Sequence, residues 1–179
     1  MRRYIFALIA GILLFATSAE ARKVTFETSV LFQTGRLVME PSNLPYHQMG
    51  IALGVQFEPA YPWPFYLETG INMMTSFKRS GLDTPCLYRF ELPLNFTYQW
   101  EPSAHFSIGP WVGAYGVANA LVGPEDPDRF NKWQAGIQAG ISMRPGVFLI
   151  NVAYYRDLIP FNKMAQGPDG VRIIVGFCF

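Results

Sequence analysis

The chain has 179 residues, half of them hydrophobic and about one in six aromatic, with a formal net charge of +1. Arg2, Arg3 and Glu20 fall in a leader segment, and the remainder carries balanced charge, which gives no basic footprint for nucleic acid. Beyond the leader no apolar run approaches the ~18 residues of a spanning helix, so membrane helices are excluded there as well.

The leader reads as a secretory signal peptide. Arg2 and Arg3 form a positive start, Tyr4–Phe15 an apolar stretch too short to span, and Ala19-Glu20-Ala21 a small-x-small cleavage site. Cleavage after Ala21 divides the chain into 1–21, the signal peptide, and 22–179, a single domain.

That domain alternates. Side chains two apart share a strand face, and the first predicted strand, Val24–Thr34, puts Val24, Phe26, Val30 and Phe32 on one face and Glu27, Ser29 and Gln33 on the other. The second, His47–Glu58, sets Met49, Ile51, Leu53 and Val55 against Gly50, Ala52, Gly54 and Gln56. The third, Phe65–Phe77, sets Phe65, Leu67, Ile71 and Met73 against Glu68, Gly70 and Asn72.

The fourth, Tyr88–Trp100, is the clearest. Tyr88, Phe90, Leu92, Leu94, Phe96, Tyr98 and Trp100 form an unbroken oily face, and Arg89, Glu91, Pro93, Asn95, Thr97 and Gln99 a polar one. Its length exceeds the roughly 5–6 residues usual in soluble sheets and covers the 9–11 that a tilted strand needs to cross a bilayer. Aromatic residues stand at both ends of the oily face, as at membrane interfaces.

The fifth strand is His105–Ala118, with Trp111 and Tyr115 inward and a local distortion expected at Pro110, which lacks a ladder donor. Lys132–Arg144, Val147–Leu158 and Val171–Phe179 complete a set of eight. Trp63, Trp100 and Trp133 read as interface anchors. The connections run long, short, long: Gly35–Tyr46, Lys78–Pro85, Asn119–Asn131 (with Glu125, Asp126 and Asp128) and Ile159–Gly170 are longer than Pro59–Pro64, Glu101–Ala104 and Pro145-Gly146. The fold class is therefore all-β: an eight-stranded antiparallel up-and-down transmembrane barrel. Both termini are expected in the periplasm and the longer loops outside.

Three stretches carry a family resemblance. Tyr88–Pro93 (YRFELP), Gly109–Gly116 (GPWVGAYG) and Tyr154–Leu158 (YYRDL), in that order, resemble the PorT-like outer-membrane β-barrel family of Gram-negative bacteria. The resemblance covers most of 22–179 and implies an integral outer-membrane barrel. The secretion and gliding role tied to one member does not carry over on these motifs. Phe177 and Phe179 resemble the terminal signal read by the outer-membrane assembly machinery, with Ile174 where glycine is usual.

The candidate chemistry is sparse. Inward Glu27, Glu68, Arg89, Glu91 and Arg172 form a polar set in the lumen. Because unpaired buried charge is very costly, they are expected to pair and plug the interior rather than form a ligand site or acid–base pair. His105-Phe106-Ser107 resembles the His-x-Ser of membrane lipid deacylases, but it opens its strand on the periplasmic side and lacks a carboxylate partner. His47 has no companion at metal-ligand spacing. Cys86 and Cys178 fall at opposite ends of spanning strands, beyond disulfide reach, and are expected to be free thiols.

The sequence thus points to no enzyme, no cofactor and no metal site. It favours a structural or interaction role through the loops, with a narrow pore or a lipid-modifying enzyme as alternatives. Expected partners are outer-membrane lipids, the assembly machinery and a secretion or surface protein.

Overall fold

The computed structural model describes residues 23–39, 42–58, 64–76, 86–122, 131–160 and 167–179. The expected signal peptide, Trp63 and the Glu125, Asp126 and Asp128 cluster lie outside them. Among the described residues the strand segments are β1 (Lys23–Met39), β2 (Ser42–Glu58), β3 (Phe65–Ser76), β4 (Cys86–Tyr98), β5 (Trp100–Ser103), β6 (Phe106–Val122), β7 (Trp133–Pro145), β8 (Phe148–Asp157) and β9 (Asp169–Cys178). β5 prolongs β4, so the segments make eight staves. Each stave pairs antiparallel with its chain neighbour, and β1 pairs with β9 from Glu27↔Cys178 to Arg36↔Asp169, closing the barrel.

The polarity of the wall is inverted relative to a soluble protein. Phe26, Leu92 and Val112 are 59%, 50% and 57% exposed, whereas Arg89, Glu91 and Arg172 are fully buried. The alternation read from each strand sorts side chains to these two faces. Aromatic pairs stand on the outer wall at the end that carries the termini: Phe65 stacks on Phe96 at 5.0 Å and meets Tyr98 edge-on at 5.5 Å, and Phe148 lies 5.3 Å from Phe177. Cross-strand aromatic contacts of this kind help to fix register.

Two prolines interrupt the ladders. β6 runs unbroken past β7 through Pro110↔Ile141. On its other side pairing stops at Thr97↔Trp111 and resumes at Trp100↔Ile108, and there β4 ends and β5 begins. The expected distortion at Pro110 therefore falls on one flank only. Pro93, which the alternation alone does not mark as a break, has the same effect toward β3: Thr69↔Leu94 and Asn72↔Glu91 pair with nothing between them, and the Thr69 hydroxyl donates instead to the Pro93 carbonyl at 2.9 Å.

The first long connection is corrected. Gly35–Tyr46 is not a loop. β1 and β2 continue as a paired ribbon through Arg36↔Pro45 and Leu37↔Leu44 to Met39↔Ser42. Among the described residues β2–β3 pairing ends at Gln48↔Ser76, and Pro45 lies beyond it. At the end carrying the termini, β7 and β8 join through Gly146 and Val147, with Gly146 at φ 65°, a left-handed geometry that glycine adopts without strain.

Candidate functional site

The lumen is the densest polar site in the described structure, and the alternation of all eight staves supplies it. Its middle layer centres on Arg172 of β9. The guanidinium donates to both carboxylate oxygens of Glu91 at 2.6 and 2.8 Å, to Gln33 Oε1 at 2.8 and 3.1 Å, and to Gln138 Oε1 at 2.6 Å. Asn72 donates to Glu91 Oε1 at 2.9 Å, and Gln138 donates to Asn95 at 2.8 Å. Such two-pronged arginine–carboxylate contacts are the strong end of hydrogen bonding.

The layer nearer the long connections is built on Arg89. It grips Asp157 with two bonds of 2.7 Å and lies 3.5 Å from Glu91. The Tyr115 hydroxyl donates to Asp157 Oδ1 at 2.7 Å. The Tyr115 ring is covered by Arg89 and Arg172, 5.6 and 5.3 Å from its centroid, and Arg172 also lies over Tyr155 at 5.2 Å. Desolvated stacking of this type adds to the ion pairs.

The third layer, near the termini, is built on Arg144. It donates to Glu27 at 2.5 Å and to Gln56, and it lies 3.8 Å from Glu68, to which Asn95 donates at 3.3 Å. Between the layers is a cavity of about 20 Å³, room for about one water. Below Arg144 a vestibule of about 400 Å³ opens toward the termini.

Of the residues singled out from sequence, Glu91, Arg89 and Arg172 are brought into one continuous cluster. Glu27 and Glu68 share Arg144 at a separate level. Arg144 and Asp157 are partners that the sequence alone does not single out. Both belong by parity to the inward sets of their strands, but both stand near strand ends, where the alternation gives way to turn residues.

Phe177 and Phe179 face outward. Phe179 exchanges backbone hydrogen bonds with Phe26 at 2.8 and 3.1 Å, fastening the barrel seam. His105 is exposed in the turn before β6, while Ser107 is buried at the register level of Arg144. The two therefore sit in different environments. His47 faces outward, its Nδ1 2.8 Å from the Thr34 hydroxyl. Cys178 is free, and Cys86 opens β4 at the far end of the barrel. Among the described residues no group of His, Cys, Asp and Glu is arranged to hold a metal.

No family model matches the chain, and no curated protein matches it. The PorT-like resemblance thus rests on its three motifs. Solved structures do match. Ail, the attachment invasion locus protein of Yersinia pestis, aligns with a TM-score of 0.54 at 12% identity over 88% of this chain and 99% of Ail. Ail in complex with the heparin analogue sucrose octasulfate gives 0.52 at 13% identity with the same coverage. Neisserial surface protein A gives 0.53 at 9% identity over 86% of this chain and 95% of its own. At such identities the likeness establishes the fold, a closed eight-stranded antiparallel barrel of the kind found in outer membranes.

Proposed function

We propose that the chain is a small integral outer-membrane barrel, exported by its N-terminal signal peptide, with a structural or interaction role carried by its loops. One observation carries this reading: apolar side chains cover the outside of a wall whose inside is an ion-paired polar cluster. In water that arrangement would expose a large apolar surface; in a bilayer it is the stable one. The termini and the short hairpins face the periplasm, and the longer connections after β3, β6 and β8 face outward. The rigid barrel then acts as a mount for these loops. Phe177 and Phe179 address the chain to the assembly machinery, and Glu27, Glu68, Arg89, Glu91 and Arg172, with Arg144 and Asp157, serve as the plug.

A tag inserted within Asn119–Asn131 should be labelled on intact cells, and one at Ala104-His105 only after the outer membrane is permeabilised. Equal labelling of both would overturn the orientation. The plug argues against the pore alternative, because eight staves enclose little more than their own side chains. Purified protein in planar bilayers should therefore give no steady current, and a steady open current would return the pore to first place.

A further inference from the structure

The outer wall carries a groove that the lumen does not explain. It has a volume of about 700 Å³ and is lined mainly by outward side chains of five staves, among them Leu67, Phe96, Val112, Ala139, Tyr154 and Arg156. These residues follow the register across the wall: Leu67↔Phe96, Phe96↔Val112, Val112↔Ala139 and Ala139↔Tyr154 are consecutive partners. Leu67 is near the start of β3, at the end carrying the termini, and Arg156 is the penultimate residue of β8, at the other end. The groove therefore descends obliquely along the barrel. Five neighbouring staves span about 19 Å across the wall at a spacing of about 4.8 Å; with staves tilted by about 40° this run descends about 12 Å, most of the ~15 Å hydrocarbon depth of one leaflet.

The upper end of the groove is charged. Arg36, Asp169 and Arg156 are consecutive register partners across β1, β9 and β8, so two cations flank one anion on the outer face. Asp169 is already engaged, accepting from Arg36 Nε at 3.2 Å and from the Tyr154 hydroxyl at 2.8 Å. No ion pair is formed by Arg156 among the described residues. An arginine on the lipid side of a barrel is costly unless it lies near the interface and meets a counter-charge. An apolar trough leading down from a guanidinium that shares its one facing anion, Asp169, with Arg36 and Tyr154 has the shape and polarity of a phosphorylated lipid.

We propose that this groove is a binding site for a phosphate-bearing membrane lipid, one acyl chain lying from Tyr154 toward Leu67 and the phosphate against Arg156. Arg36 is held by Asp169 and adds field rather than direct contact. The site rests on the membrane-barrel reading above, but not on which end faces outward.

Native mass spectrometry of the full mature chain folded in detergent micelles tests it, with dimyristoyl-phosphatidylglycerol as the probe. The lipid should add with one preferred stoichiometry, and dimyristoylglycerol, which has the same chains without phosphate, should bind about tenfold less, the scale of one charge-assisted contact. Arg156→Gln should lower phosphatidylglycerol binding by about the same factor, and Ala139→Phe, which fills the trough, should also lower it. Both changes face lipid, so the variants should fold, as heat-modifiable gel mobility will report. Equal binding of the two lipids, or no effect of either variant in folded protein, would overturn the site and leave the barrel reading intact. Full competition by inorganic phosphate would overturn the acyl-chain part. A mature chain that is soluble and monomeric without detergent would overturn both readings together.

Discussion

Arg172→Met should destabilise the barrel by about 3–5 kcal/mol, the usual cost of removing one partner from a buried ion pair. Arg172 is fully buried and holds Glu91, Gln33 and Gln138 at once. Methionine fills much of the volume but leaves Glu91 with Asn72 and the more distant Arg89 at 3.5 Å. The loss is therefore mostly the penalty for a stranded carboxylate rather than the strength of the contact itself. Urea unfolding in detergent micelles checks this, with Glu91→Gln/Arg172→Met as the control. The double variant removes the stranded charge and should be more stable than Arg172→Met alone. A loss below about 0.5 kcal/mol, the range of ordinary surface changes, would mean that water solvates the lumen and that the plug is not dry.

Gly136→Leu should cost about 2–4 kcal/mol, as an overpacked site that also loses a buried hydrogen bond. A Cβ at Gly136 would lie 2.3 Å from both Cζ and Oη of Tyr115 and 2.6 Å from the Arg156 carbonyl oxygen. The Tyr115 ring occupies the space that the missing side chain leaves. Displacing it breaks the 2.7 Å bond to Asp157 and uncovers the stacked guanidiniums of Arg89 and Arg172. Gly116→Leu is the matched control. Gly116 is one register step away, paired with Ala135, but it faces outward, and a Cβ added there would meet nothing within 4 Å. Its substitution should be neutral within about 0.5 kcal/mol. Equal loss at both positions would point to a backbone effect of removing glycine from a strand, not to the Tyr115 contact.

The contrast between these two glycines shows what the sequence makes legible. Period-two alternation assigns Gly116 outward and Gly136 inward without any structure, because parity along a strand is a local property. Strand number, wall polarity and the inward placement of Arg89, Glu91 and Arg172 follow from the same rule. Partner choice does not. Arg89 meets Asp157 across 68 residues and Arg172 meets Glu91 across 81, and those meetings depend on the stagger of the staves around the barrel, a closure property of the whole sheet. The β1–β2 ribbon is equally hidden. Gly35, Asn43 and Pro45 read as loop residues, yet the β1–β2 ladder runs through them to Met39↔Ser42, with β9 backing β1 as far as Arg36. Arg156 takes an outward position of β8 by parity, but that the facing Asp169 is held by Arg36 and Tyr154 appears only in the structure.

The seam has a kinetic consequence. β1 and β9 are the first and last strands of the described chain, and Glu27↔Cys178 is among the most distant pairings in it. Hairpins between successive staves can zip from local turns, but this ladder must wait for nearly the whole chain, and non-local pairing of this kind slows folding. Until it forms, β1 and β9 are open edges able to template association with other chains. Closure is therefore the step at which a productive barrel and an aggregate part ways, and Phe179, bonded to Phe26 in both directions, is the last rung of the ladder that completes it.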